Sequence, residues 1–296
     1  MAEITVELIK TLRDKTNAGM MDCKAALAEA KGDLEAAETI LRKKGIADAD
    51  KKADRAAKEG VVASRILDGG KGGILVEVNC ETDFVAKNEN FRKFVDEILD
   101  HIAASASVAT LPELLAQPYA ADPAQTLEIF IKSKVGQLGE NMGLSRFAKF
   151  EIAGEGLVGT YIHMAGRVGV LVEIACGKAA TASSEALVAF AKDLTMHIAA
   201  AHPICVRRDE VPKDKVEAEK DIFREQMKGK PAEIIEKIIE GKLGKFYSIN
   251  CLLDQPFIKD GDKTIQNLLD ELSKASGDAV TVTRFRRFAV GEEAAS

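Results

Sequence analysis

Shifting the chain by 96 positions lays one stretch of it over another. Glu59-Gly60-Val61-Val62 falls on Glu155-Gly156-Leu157-Val158, Gly73 on Gly169, Leu75-Val76-Glu77-Val78 on Leu171-Val172-Glu173-Ile174, and Cys80 on Cys176. The register holds without a gap to His101-Ile102-Ala103-Ala104, which meets His197-Ile198-Ala199-Ala200. Self-similarity at so long a period marks a duplicated supersecondary unit. The chain is therefore expected to build one strand–strand–helix arrangement twice. The copies part at one informative place, where Thr82-Asp83-Phe84 of the first becomes Lys178-Ala179-Ala180 of the second. If the unit can be built with two alanines there, the acid and the aromatic are available for a contact outside it.

With 296 residues the chain is long enough for two or more cores, since one core serves about 100–200 residues. Apolar residues at 46% and charged residues at 30% describe a globular protein, and no apolar run approaches the roughly 18 residues that cross a bilayer. The acidic start Met1-Ala2-Glu3-Ile4-Thr5-Val6-Glu7 has the spacing of a helix and not of a signal peptide, so a cytoplasmic location is expected. Cys23, Cys80, Cys176, Cys205 and Cys251 form an odd set without a CxxC pair, which argues for reduced packing residues against a disulfide framework or a zinc site. A formal charge of −6 gives no global pull toward nucleic acid, although Arg284-Phe285-Arg286-Arg287-Phe288 is locally basic.

Helical spacing dominates residues 1–45, with Leu8, Ile9 and Leu12 on a first helix, Leu27 on a second, and Leu34, Ala37, Ile40 and Leu41 on a third. Gly19, Gly32 and Gly45 read as the stops between and after them, and Asp33 as a cap. Residues 46–58 lack an apolar stripe and read as a solvated linker. From Glu59 the period becomes that of strands: a hairpin turning at Gly69-Gly70-Lys71-Gly72-Gly73, then a helix carrying Phe91, Phe94, Ile98 and Ile102. A further helix runs through Leu127, Ile131 and Val135 to Gly139. The second copy is interrupted between about 209 and 244 by two helical patterns joined at Lys228-Gly229-Lys230-Pro231, an αα-hairpin with Pro231 in the first turn of its second helix. The expected fold is α+β. A three-helix domain (1–45) and a linker (46–58) precede a duplicated core of antiparallel strands plus helices, with lobe 1 at 59–140 and lobe 2 at 141–296.

Catalysis has little support. No GxSxG, HExxH or phosphate-loop motif occurs, and the glycines at 69–73 sit in a hairpin, where they do not open a helix. Of the four histidines, His101 and His197 occupy matching positions of the repeat, which favours an architectural role. No cofactor or metal is expected. Met20-Met21 follows Gly19 at a helix start; neighbouring side chains on a helix point about 100° apart, so a thin module cannot bury both equally, and one is expected to face a partner. The bland reading of Asp83-Phe84 is a capping acid over a tucked phenylalanine. The Ala179-Ala180 counterpart favours a recognition loop.

Arg13, Gly19-Met20-Met21-Asp22-Cys23-Lys24, Leu75 to Lys87 through Thr82-Asp83-Phe84-Val85-Ala86-Lys87, and Gly229-Lys230-Pro231 closely resemble the bacterial elongation factor Ts family over nearly the whole chain. The resemblance implies a ubiquitin-associated-like N-terminal domain and guanine nucleotide exchange on elongation factor Tu, bound in its GDP and nucleotide-free forms, with no reaction catalysed on a substrate. It assigns Thr82, Asp83, Phe84 and Val85 to dislodging Mg²⁺ from the partner, Arg13, Met20 and Met21 to its nucleotide domain, and His163 to another of its domains. It also implies that the 209–244 hairpin can serve self-association. No membrane or direct nucleic-acid contact is expected. A non-exchanging adaptor would use the same surfaces without speeding GDP release.

Overall fold

A computed structural model describes residues 4–16, 18–105, 108–226 and 232–292. Three helices open the chain: α1 (Val6–Thr16), α2 (Met20–Glu29) and α3 (Leu34–Lys52). Then come strands β1 (Glu59–Leu67) and β2 (Gly72–Cys80), helices α4 (Asp83–Ala86), α5 (Glu89–Ala104) and α6 (Leu111–Ala116), strands β3 (Pro118–Tyr119) and β4 (Asp122–Thr126), helix α7 (Leu127–Leu138) and strand β5 (Met142–Glu151). The rest of the chain has a similar order: β6 (Glu155–His163), β7 (Val168–Cys176), α8 (Ala179–Ala182), α9 (Glu185–Ala201), the long pair α10 (Lys213–Gln226) and α11 (Ala232–Asn250), then β8 (Pro256–Phe257), β9 (Asp260–Thr264), α12 (Ile265–Ser276) and β10 (Thr281–Ala289). The fold is α+β. Its three-stranded sheets have the orders β1-β2-β5 and β10-β7-β6, and β3–β4 and β8–β9 form two small antiparallel ladders.

The chain divides into two compact units, Met1–Ala63 with Val76–Phe147 and Ala289–Ser296, and Ser64–Leu75 with Ala148–Phe288. In the first, α1 to α3 close on Ile9, Leu12, Cys23, Ala26, Leu27 and Ala37. Asp33 Oδ1 accepts from Ala36 N at 3.0 Å and caps α3 as its position suggests. Gly45, however, does not end this helix, which continues to Lys52 and takes in half of the expected linker. Gly45 serves instead as a crossing point. A Cβ built on Gly136 of α7 would lie 2.3 Å from Gly45 Cα, so the two helices touch backbone to backbone and only the missing side chains permit it. The boundary read at 140 also shifts in function: β5 is the third strand of the first sheet.

In the second unit, Val170, Val172 and Ile174 of β7 pack with Leu187, Leu194 and Ile198 of α9 and with Ile265 and Leu269 of α12. The β6–β7 ladder runs in unbroken antiparallel register from Glu155↔Cys176 to His163↔Val168. Gly156, matched by Gly60 in the other copy, holds a φ of +155° with Ile174 O only 2.2 Å from where a Cβ would stand. That close approach explains why glycine recurs at this point of the repeat. Helix α11 runs past Gly244 to Asn250, so the inserted hairpin is longer at its base than 209–244. Its turn, with Pro231, lies outside the described residues.

The matching histidines are structural. His101 Nδ1 accepts from Ala120 N at 3.1 Å, and His197 Nδ1 accepts from Ile258 N at 3.3 Å, each imidazole holding the turn of a small ladder and packing on its aromatic, Tyr119 at 5.7 Å or Phe257 at 6.0 Å. An acceptor at Nδ1 puts the proton on Nε2, consistent with the 2.9 Å contact from His197 Nε2 to Gln255 Oε1. Burial pushes both histidines below their ordinary range. Unfolded histidines titrate near pH 6.5, so below that pH the unfolded chain binds protons that the folded chain refuses, and stability from this source is lost as pH falls. Between pH 7.5 and 5.5 the thermal midpoint should drop, with the His101 and His197 ring resonances titrating below 6.5 in NMR. Resonances titrating at or above 6.5 would contradict the assignment. Gly136→Ala should cost on the order of 1–3 kcal/mol by forcing α3 and α7 apart, and a melt unchanged from wild type would remove the proposed backbone contact.

Candidate functional site

Strand β2 is buried along its whole length, and its last residue delivers the chain to the surface at Glu81-Thr82-Asp83-Phe84-Val85. This segment would be a loose loop were it not tied down. Glu140, just beyond Gly139, the left-handed cap of α7, grips Thr82 twice: Thr82 N donates to Glu140 Oε2 at 3.0 Å and Thr82 Oγ1 to Glu140 Oε1 at 2.6 Å. Glu81 Oε1 accepts from Asn141 N at 2.6 Å, while Asn141 Nδ2 donates to Arg55 O at 2.7 Å. Cys80 Sγ donates to Thr82 O at 3.2 Å, and burial, with Glu140 nearby, pushes this thiol up to about 12, so it stays protonated.

Thr82 then caps α4, its Oγ1 accepting from Val85 N at 3.3 Å. Ala86 turns inward and Phe84 turns out. At 81% exposure Phe84 is the barest large apolar side chain among the described residues. A capped single turn, anchored at its root by a two-oxygen grip, therefore holds a bare aromatic in water. Asp83 beside it is half exposed and pairs with Lys87 at 2.6 Å. That hydrogen bond holds the Asp83 carboxyl below its usual range, so it is ionised at neutral pH. The tucked reading of Phe84 is excluded.

The second copy repeats the anchor without the display. Asp278 follows Gly277, the left-handed cap of α12, and accepts from Gly177 N at 3.1 Å and Lys178 N at 2.9 Å. Helix α8 begins with Ala179 and Ala180 in the places of Asp83 and Phe84, and its cap residue Lys178 makes no side-chain cap bond. The backbone geometry is thus supported twice, and the acid–aromatic pair occurs once. Neither Glu140 nor Asp278 stood out in the sequence. Both lie in a second self-similarity, a shift of 138 that also relates Pro118 to Pro256, Thr126 to Thr264 and Gly139 to Gly277, offset from the first because the α10–α11 hairpin intervenes.

The remaining candidates are on the surface. Arg13 is exposed on α1, whose buried residues are Ile9 and Leu12. Met20 and Met21 open α2 at 40% and 75% exposure, so both members of the pair reach solvent, where one was expected. All of these share the first unit with Thr82 to Val85. His163 belongs to the second unit, at the end of β6, exposed, with Tyr161 Oη 2.9 Å from its Nδ1 and the two rings stacked. Among the described residues no cluster of three or more His, Cys, Asp or Glu is placed to hold a metal ion, and no helix is long and apolar enough to cross a membrane.

Such a surface suits protein contact, and comparison with known proteins supplies the family. The family described as Elongation factor TS matches residues 81–292, beginning at the anchored loop. Curated proteins named Elongation factor Ts align over 291 residues, 98% of this chain and 93% of each relative: that of Trichlorobacter lovleyi is 48% identical, that of Clostridium botulinum (strain Eklund 17B / Type B) 46%, and that of Clostridium perfringens (strain SM101 / Type A) 45%. Identity of this degree over almost the full length leaves one assignment: the chain belongs to the elongation factor Ts family of translation elongation factors.

Proposed function

We propose that the protein is the guanine nucleotide exchange factor for elongation factor Tu, acting in the cytoplasm through binding and not as an enzyme. It engages the GDP-bound GTPase, disturbs the Mg²⁺ and phosphate site, and holds the empty form until GTP enters. The observation that carries this reading is Phe84, 81% exposed on an anchored loop whose internal counterpart lacks it. Burying such a ring in a partner is worth about 2 kcal/mol, enough to drive a local displacement when the rest of the interface is already docked. A GTPase holds its nucleotide partly through an octahedral Mg²⁺ that tolerates little distortion, so a wedge of Phe84 and Asp83, flanked by Thr82 and Val85, needs to move its surroundings only slightly. By linkage, a factor that weakens GDP binding is weakened by GDP in equal measure.

In the same reading Arg13, Met20 and Met21 anchor the partner's nucleotide domain and His163 touches another of its domains. The N-terminal helices form a ubiquitin-associated-like domain, the two β-hairpin–helix halves descend from one duplicated unit, and the α10–α11 hairpin is available for self-association. The direct test is release of fluorescent GDP from purified elongation factor Tu, expected to accelerate when the protein is added. An unchanged rate despite complex formation would favour a non-exchanging adaptor.

Two variants examine how the site works. Glu140→Ala, which frees the loop but leaves the wedge intact, should slow exchange severalfold; Asp278→Ala, the same loss in the second copy, should not. Equal effects from both would mean that the anchors matter only for stability. Met20→Ala with Met21→Ala should raise the concentration needed for half-maximal release more than it lowers the maximal rate, since truncated anchors cost on the order of 1–4 kcal/mol of binding. A collapsed maximal rate at unchanged affinity would overturn that division of roles.

A further inference from the structure

The first unit fills with an aromatic ring and a cation a place where the second has two leucines packed on its core. There Phe130 of α7 lies between Phe94 and Tyr119, with ring centroids 6.0 and 4.0 Å away, and Lys134, one helical turn on, sits 5.0 Å above the Phe130 ring and 2.7 Å from Glu97. The two internal shifts carry Phe94 to Phe190, Glu97 to Asp193 and Tyr119 to Phe257, but carry Phe130 to Leu268 and Lys134 to Leu272. The walls persist while the ring and the cation are gone. What remains is a cleft of about 330 Å³ between α9 and α12, floored by Leu194, Phe257 and Ile265 and flanked by Phe190, Leu268 and Leu272. Its rim is acidic. Asp193 occupies the place of Glu97, and Glu271 adds a carboxylate where the first unit has Ser133. Their cations, Lys259 and Lys263, each at 2.7 Å, reach them from the surface in solvent-exposed pairs, which contribute little and exchange readily.

We propose that this cleft receives a phenylalanine or tyrosine followed one helical turn later by lysine or arginine, presented on a helix of a protein partner. The occupant is inferred from what the first unit places there itself, and from two rim carboxylates whose exposed lysine partners a cation lying over the ring can replace. The volume suits one aromatic side chain with part of its backbone turn. An aromatic anchor in an apolar pocket with a charge-assisted contact at the rim is the composition of a binding hot spot. The proposal does not depend on the exchange reading, because none of the residues assigned to exchange lines the cleft.

The probe is a capped, alanine-based helical peptide carrying Phe and Lys four residues apart, titrated into the full-length protein with the Leu and Ile methyl groups followed by NMR. Saturable shifts centred on Leu268, Leu272 and Ile265 are expected. They should vanish when the peptide's Phe is Ala, and Asp193→Asn should weaken binding roughly fivefold. Leu268→Phe with Leu272→Lys rebuilds the first unit's filling; it should abolish peptide binding while the melt stays at or above that of wild type. No shifts at millimolar peptide, or equal shifts with the Phe-less peptide, would overturn the proposal. So would a filled variant that melts early, because the cleft would then be closed in solution. Binding of free phenethylamine as tight as that of the peptide would reassign the cleft to a small ligand. Self-association that the filled variant abolishes would reassign it to a second copy of this chain.

Discussion

One carboxylate, that of Glu140, decides whether this protein has a presented site. Phe84 in water is unfavourable for the isolated chain, and an untethered loop could fold the ring back onto the surface. With two oxygens on Thr82, one receiving its N–H and one its hydroxyl, Glu140 fixes the root of α4, and the Thr82 cap fixes its first turn. The grip works because Glu140 follows the left-handed Gly139, whose cap redirects the chain from α7 back toward the end of β2. Rigid presentation matters energetically, since a side chain already held in its binding posture loses little freedom on docking.

The internal repeat separates what the fold requires from what the surface does. In both copies a glutamate of the central strand pairs with an arginine of the third strand: Glu77 with Arg146 at 2.6 Å and Glu173 with Arg284 at 2.7 Å. Both copies keep the glycine that lets two strands approach, the histidine that holds the small ladder, and the carboxylate that anchors the loop after the second strand. Interactions kept in both places are architecture. Asp83 and Phe84 in the first unit, and the cleft of the second, occur in one place only, which is what makes them candidates for contact with other molecules.

The sequence displayed much of this because the buried faces of strands and helices constrain identity, so the 96-residue shift is visible at intervals from Glu59 to Ala104. The loop was legible for the opposite reason, by failing to repeat. Gly45 misled because glycine serves two purposes in helices, ending them through a left-handed conformation or letting another backbone approach, and only the position of Gly136 distinguishes the two. Glu140 was hidden among 47 acidic residues, since nothing local distinguishes a carboxylate that grips a loop 58 residues away from one that faces solvent. The exposure of both Met20 and Met21 was only half legible: angular spacing on a helix shows that two neighbours cannot both face a core, not that both face away.

The proposed wedge is tested most directly by GDP release from elongation factor Tu as a function of Mg²⁺ concentration, with wild-type protein and with Asp83→Ala, Phe84→Ala, accompanied by thermal melts. Metal and wedge oppose one another by linkage, so rising Mg²⁺ should slow wild-type exchange, while the double variant should exchange far more slowly and respond less to the metal. Its melt should match wild type, because Ala179 and Ala180 already occupy the same places in the other copy. A variant that exchanges as fast as wild type with the same Mg²⁺ response, or one that unfolds tens of degrees early, would contradict a wedge carried on an independently stable loop.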